Sequence, residues 1–109
     1  MHPRYVAVVG PGSPHEPELV TLATEAGRLL ASAGYVVMTG GLGGVMAAAA
    51  EGAASVGGTA VALLPGTSRD DASPGHTIVI PTGLGEMRNA LLVRSVDAVL
   101  AVGGSWGTL

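Results

Sequence analysis

Two glycine-rich stretches carry the residue types that suit binding of a phosphate group. Thr39-Gly40-Gly41-Leu42-Gly43-Gly44 follows a short apolar run and leads into an alanine-rich segment, and Gly103-Gly104-Ser105-Trp106-Gly107-Thr108 follows a second apolar run. Glycines let a ligand approach the backbone closely, and the first amides of a helix are free to donate to an anion. The pattern predicts two strand-to-helix loops that bind a phosphorylated ligand, with the Thr108 hydroxyl donating to a phosphate oxygen.

Several residues in and beside these loops have two possible roles. Thr39 either donates to the phosphate or bonds to the backbone at a strand end, and Trp106 either stacks on a base or pterin or closes the core. Arg88 is either a solvated helix residue or a ligand-binding group. Its neighbour Glu86 either orients Arg88 or acts as an acid or base, or it is an exposed charge at a helix start.

The elements that must position these residues follow from hydrophobic periodicity. Continuous apolar runs predict buried parallel strands, and apolar residues three and four apart predict helices. The predicted strands are Tyr5 to Val9, Tyr35 to Met38, Thr59 to Leu64, Thr77 to Ile80 and Asp97 to Val102, and the predicted helices run from Glu16 to Ala33, from about Gly44 to Val56 and from Leu84 to Ser95. Their alternation predicts an α/β fold with an open parallel sheet of about five strands and helices on both faces.

Ligands of such sheets bind outside the carboxyl ends of the strands. We therefore expect the two glycine-rich loops to meet there with the loop after the first strand, which contributes Gly10, Gly12 and Ser13. Pro65 to Ser68 follows the third strand and ends at the same edge. It opens an exposed polar loop that continues to His76, in which Asp70-Asp71 is expected to solvate the chain.

Composition excludes several classes of function. All five basic residues are arginines, eight residues are acidic and the net charge is −3, so the chain lacks the basic patch of a nucleic-acid binder. Without lysine there is no Walker or Schiff-base lysine, and without cysteine there is no thiolate nucleophile. His2, His15 and His76 have no metal-ligand spacing, and we predict no metal site. No apolar stretch approaches the roughly 18 residues of a membrane span, so we expect no membrane association and a cytoplasmic protein.

The motifs resemble those of a known family. T-G-G-L-G-G-V-M-A, from Thr39 to Ala47, is similar to the G-G-G-x-x-G-L-M-G motif of the LOG-like Rossmann proteins, formerly called lysine decarboxylase-like. Met87-Arg88, followed by D-A-V-L-A-V-G-G-S-W-G-T from Asp97 to Thr108, resembles that family's arginine helix and its P-G-G-x-G-T-x-x-E motif. The branch with the most similar forms of both motifs includes molybdenum-cofactor carrier proteins and uncharacterised nucleotide-binding proteins.

The resemblance implies a Rossmann-like fold and a phosphate site that includes Arg88. For LOG enzymes it also implies phosphoribohydrolase chemistry, in which the base leaves a nucleoside 5′-monophosphate while an arginine and a glutamate act at the ribose. Arg88 matches the arginine, and the glutamate would fall two residues after Leu109. Gly103, Ser105 and Asn89 stand where the enzymes have proline, glycine and lysine. These departures weaken the hydrolase assignment and leave phosphate binding intact.

Three functional hypotheses remain open. The first is a binding or carrier protein for a phosphorylated nucleotide-like molecule, either a mononucleotide or a molybdopterin-type molybdenum cofactor, with no cofactor required for its own action. The second is a phosphoribohydrolase, and the third is a non-catalytic assembly or regulatory protein. We expect residues 1–109 to form a single Rossmann-like domain that lacks the C-terminal part of the family fold, and we expect a homodimer or higher homo-oligomer.

Overall fold

The computed structural model describes residues 2–13 and 16–103, which form a five-stranded parallel sheet with helices on both faces. The strands lie side by side in the order β4-β3-β2-β1-β5. In chain order the elements are β1 (Tyr5–Val9), α1 (Pro17–Ser32), β2 (Val36–Thr39), α2 (Val45–Ser55), β3 (Ala60–Leu64), β4 (Ile78–Pro81), α3 (Arg88–Arg94) and β5 (Ala98–Ala101). The predicted α/β fold class is confirmed.

Apolar runs form the inner strands because both of their faces are covered. All five residues of β3 are buried, as are Val6, Ala7 and Val8 of β1. Val37 of β2 pairs with both Val6 and Ala60 in the parallel register. Because these strands pair in parallel, the carboxyl ends of β1, β2 and β3 lie at one edge of the sheet.

Helices α1 and α2 cover one face of the sheet and pack closely on each other. A Cβ atom at Gly27 of α1 would overlap the backbone of Ala49, and one at Gly52 of α2 would overlap the backbone of Thr24. These two glycines allow the helix backbones to approach each other. The alanine-rich sequence of α2 supports the same close packing, since its inward residues are small and fully or almost fully buried.

The opposite face is covered mainly by the short helix α3. Leu92, which is 3% exposed, packs there against Ala7, Met38 and Leu63. Because α3 has only seven residues, it leaves an open apolar groove of about 380 Å³ farther along this face, with Ile78 and Ile80 among its lining residues.

The predicted helix from Leu84 to Ser95 is shorter in the structure. A 3₁₀ turn spans Gly85–Met87, and α-helical structure begins only at Arg88. Gly83 and Gly85 have φ angles of +68° and +59°, which α-helical backbone does not accommodate. The consequence for the site is that Arg88 becomes the first residue of α3.

Candidate functional site

Three chain segments meet at the carboxyl edge of the sheet. The Val45 amide at the start of α2 donates to the Pro11 carbonyl over 3.1 Å, and the Val102 amide after β5 donates to the Val9 carbonyl over 2.9 Å. A Cβ atom at Gly10 would lie only 2.7 Å from the Val102 carbonyl oxygen. The loops after β1, β2 and β5 therefore touch one another, as the sequence predicts.

Gly44 joins the loop after β2 to the start of α2. Its φ angle is +63°, and a Cβ atom there would overlap the backbone of Gly12. Gly44 occupies the N-cap position and, as a glycine, has no side chain with which to cap this helix start. The Val45 amide is bonded to the Pro11 carbonyl, and the Met46 and Ala47 amides that follow it in the first turn of α2 are the ones that favour an anion.

Arg88 extends from α3 to the backbone of the loop after β2. A Cβ atom at Gly40 would overlap the Arg88 guanidinium, with Cζ at 2.8 Å and the Met46 Sδ atom at 2.9 Å. Only a residue without a side chain leaves room for the arginine at this point. Gly40 is buried and Arg88 is half-buried, so the charge lies at the wall of the site and not in bulk solvent.

The Arg88 side chain has an unsatisfied donor. Its Nε atom is buried and has no hydrogen-bond partner among the described residues. Burial lowers the pKa of Arg88, although a guanidinium stays protonated at neutral pH. Leaving a buried donor unpaired costs about 1–3 kcal/mol, and more for a charged group, so this nitrogen favours an anionic ligand. Glu86, two residues earlier, is exposed.

A cavity of about 330 Å³ opens beside Arg88. Arg88 and Asn89 supply its polar groups, and Val9, Leu92 and Val99 contribute to an apolar wall. The volume is at the lower end of the range for small-molecule sites, which usually combine apolar walls with a few polar groups. The cavity suits a ligand with a negative group and an apolar or ring-shaped part.

Thr39 shapes the loop from within the protein. It is fully buried, its Oγ1 accepts a hydrogen bond from the Gly41 amide over 2.8 Å, and the same atom lies 2.6 Å from Nε2 of His76. Of the two roles open to Thr39, the hydrogen bond to backbone is therefore present. The Gly41 carbonyl accepts from the Ser73 amide over 2.9 Å, so both polar backbone groups of Gly41 are engaged.

The match to a known protein family covers all of the site residues described above. Residues 3–109 match the SLOG cluster4 family. The chain belongs to that family. An uncharacterised protein from Archaeoglobus fulgidus is 43% identical over 104 residues, which are 95% of this chain and 68% of that protein.

Solved structures of other proteins are similar to this SLOG cluster4 chain. The molybdenum cofactor binding protein from Rippkaea orientalis superposes with a TM-score of 0.94 at 38% identity over 99% of this chain and 67% of that one. The molybdenum cofactor carrier protein from Chlamydomonas reinhardtii superposes with a TM-score of 0.85 at 34% identity over 98% and 66% of the two chains. The resemblance to the carrier branch is confirmed, and the chain spans about two thirds of the length of each relative.

The structure places many of the predicted site residues together. Gly40 contacts Arg88, and Gly44 lies against Gly12. Gly10 lies against Val45 and Val102, and Gly41 lies against Ala62 and Leu64. Gly12 and Ser13 are exposed. Gly103 has a φ angle of +68° and approaches Leu19 of α1. The predicted residues Gly104, Ser105, Trp106, Gly107 and Thr108 lie outside the described residues.

Two features of this SLOG cluster4 site were not predicted from the sequence. Met46, the second residue of α2, contributes to the cavity wall, although its sequence pattern indicates only an ordinary apolar helix residue. His76 reaches Thr39 across 37 positions of sequence, a contact for which no local pattern exists. Among residues 2–13 and 16–103 no cluster of three or more histidines and acids could hold a metal, and no helix could cross a membrane.

Proposed function

We propose that this protein binds a phosphorylated small molecule at the edge formed by Gly40, the start of α2 and Arg88. The observation that carries the proposal is the buried Arg88 Nε atom without a partner, beside a cavity. A phosphate or similar anion in the cavity would pair with the Arg88 guanidinium and accept from the α2 amides that follow Val45, whose own amide is bonded to Pro11. The ring of the ligand would lie against the apolar wall of the cavity.

The ligand we favour is a molybdopterin-type cofactor bound as cargo, with a mononucleotide as the second candidate. Support comes from the Rippkaea orientalis and Chlamydomonas reinhardtii proteins, which bind or carry the molybdenum cofactor. The residues present fit such a molecule, because Arg88 would hold its phosphate and the Asn89 amide at the cavity could meet a polar ring edge. The remaining glycines of both predicted loops are part of this proposal.

Binding can be tested by isothermal titration calorimetry with molybdopterin-type cofactor and with AMP. Arg88→Ala should weaken binding about 10- to 100-fold, because a hydrogen bond to a charged group contributes about 1.5–3 kcal/mol. Arg94→Ala is the matched control, since Arg94 is an exposed arginine in the last turn of the same helix. Equal affinity of both variants would remove Arg88 from the site, and no binding of either ligand to the wild-type protein would refute the proposal.

A phosphoribohydrolase would use the same site. The observation that favours it is the position of Arg88, which faces the cavity from the start of α3. Incubation with AMP and measurement of free adenine separates the two functions. Release of adenine that is lost in Arg88→Ala would establish the enzyme, whereas tight binding without release would support the carrier.

Self-association is a further part of the proposal. Leu22 and Leu29 on α1 are 57% and 53% exposed, and Ile78 at the sheet edge is 48% exposed. Burying such side chains between two copies would remove apolar surface from water. Light scattering that gives a mass well above 10.7 kDa is expected, and a stable monomer at high concentration would contradict it.

A further inference from the structure

His76 occupies a position that connects two loops. It lies in the segment between β3 and β4, is half-buried, and places Nε2 2.6 Å from Oγ1 of Thr39. Its other ring nitrogen, Nδ1, lies 3.1 Å from the Ser73 carbonyl oxygen. The ring therefore bridges the segment before β4 and the end of β2, where the proposed ligand-binding loop begins.

The partners of the two nitrogens fix the tautomer. Nδ1 faces the Ser73 carbonyl oxygen at 3.1 Å, which can only accept, and the Ser73 Oγ atom at 3.3 Å, which can accept or donate. A proton on Nδ1 satisfies both contacts, so we assign it there. In the neutral ring Nε2 is then an acceptor, and the Thr39 hydroxyl donates to it. Thr39 Oγ1 accepts in turn from the Gly41 amide over 2.8 Å. The result is one directed chain of hydrogen bonds from Gly41 through Thr39 to His76.

Protonation of His76 would reverse the direction of the hydrogen bond between Thr39 and His76. A proton on Nε2 would point at Thr39 Oγ1, and the buried Thr39 hydroxyl would lose its acceptor. Burial lowers the pKa of His76, while the hydrogen bond to the Ser73 carbonyl acts in the opposite direction. The environment as a whole therefore favours the neutral ring, in agreement with the geometry.

No nearby charge explains this preference. The charged residues on the elements packed around the ring are Glu51 of α2 and Arg69, Asp70 and Asp71 of the 3₁₀ turn that precedes it, and all four are exposed. None of them is a hydrogen-bond or ion-pair partner of His76 within the described part of the chain. The state of the ring is set by burial and by the three oxygens it faces, Thr39 Oγ1 and the carbonyl and hydroxyl oxygens of Ser73.

We propose that neutral His76 is a positioning residue for the loop after β2, and that its protonation weakens anion binding at Gly40 and Arg88. The path is short, because Gly40 lies between Thr39 and Gly41 and its backbone contacts the Arg88 guanidinium. The hydrogen bonds that hold Thr39 and Gly41 also fix Gly40, the residue whose backbone the Arg88 guanidinium approaches. The part of this inference that concerns ligand rests on the proposed function, whereas the part that concerns the loop does not.

The test uses sulfate as the probe, because its charge is constant between about pH 5 and pH 8, where histidine titrates. Affinity is measured by NMR titration of the whole protein. For the wild type we expect affinity to fall about tenfold as the pH falls through the lowered pKa of His76, the effect of losing about one net hydrogen bond. His76→Gln keeps an acceptor and does not titrate, so its affinity should not change with pH. His76→Phe keeps a ring without an acceptor and should bind weakly at every pH.

His2→Gln is the control, since it removes an exposed histidine and should leave the wild-type pH profile unchanged. A second readout needs no ligand: the Gly41 amide resonance should titrate together with the His76 ring in the wild type and not in His76→Gln. If Gly41 does not titrate, or if His76→Gln keeps the wild-type sulfate profile, the inference is wrong. If Gly41 titrates but sulfate binds no variant, the proposed function fails while the positioning role stands.

Discussion

The contact between Gly40 and Arg88 gives the most specific prediction for the site. In Gly40→Ala the new Cβ atom would overlap the guanidinium, with Cζ at 2.8 Å. Carbon atoms pack at about 3.5–4.0 Å and Nη1 is nearer than Cζ, so the guanidinium must move by at least about 1 Å. A charge-assisted hydrogen bond of about 2.7–2.9 Å is lost after such a shift. The variant should therefore lose about 1.5–3 kcal/mol of binding free energy, or about 10- to 100-fold in affinity.

The same variant should remain folded. The atoms that must move, the guanidinium of Arg88 and the thioether of Met46, are the ends of flexible side chains and not backbone. We therefore expect Gly40→Ala to lower the free energy of unfolding by about 1 kcal/mol, at the low end of the range for an added methyl group in a packed site. Urea unfolding followed by circular dichroism measures this change separately from calorimetric affinity for AMP or molybdopterin.

Two comparisons isolate the part of the lost affinity that is due to displacement of Arg88. A Cβ atom at Gly43 would meet only the Gly12 carbonyl oxygen at 3.6 Å, an ordinary contact, so Gly43→Ala adds the same methyl group to the same loop without touching Arg88. In an Arg88→Ala background Gly40→Ala should cost no further affinity, because the group it displaces is already gone. Equal losses in Gly40→Ala and Gly43→Ala, or additive losses in the double variant, would refute the reasoning.

Three other predictions concern stability. Leu92→Ala should lower the free energy of unfolding by about 2–4 kcal/mol, and the 55% exposed Val93→Ala by about 0.5 kcal/mol or less, both measured by urea titration. Burial lowers the pKa of His76 in the folded protein, so the unfolded chain binds the proton at a higher pH than the folded protein does. The stability that is present above about pH 6.5 should therefore be lost as the pH falls through the lower folded-state pKa. His76→Gln should reduce this loss. Gly52→Ala should cost about 1–3 kcal/mol despite the gain in helix propensity, because its Cβ atom meets backbone of α1, whereas Ala54→Val on the exposed side of α2 should cost about 0.5 kcal/mol.

Local patterns were sufficient to predict most of the fold. The five strands and the first two helices lie within one or two residues of their predicted bounds, because continuous apolar runs need two covered faces and Pro17 and Gly34 mark the ends of α1. The third helix was predicted too long. Its apolar spacing is helical from Leu84, but two glycines with positive φ angles delay the α-helix to Arg88.

The site was predictable only in part, for a physical reason. Parallel strands bring their carboxyl ends together whatever their side chains are, so the meeting of the loops after β1 and β2 follows from topology. The network of Thr39, Gly41 and His76 does not, since it depends on how a long polar segment folds back between β3 and β4. A threonine at a strand end has a donor and an acceptor that either ligand or protein can satisfy, and the sequence does not decide between them.

The charge of the site and the shape of its loop depend on different parts of the chain. Arg88 enters from α3, on the face of the sheet opposite α1 and α2, while the backbone it meets is held from the other direction by Thr39, His76 and Ser73. Gly40 is the point where the two meet. Loss of the arginine should therefore leave weak binding at every pH, whereas His76→Gln should remove the pH dependence. A variant at Gly40 should resemble the first and not the second, because it displaces the charge while the hydrogen bonds that hold the loop remain.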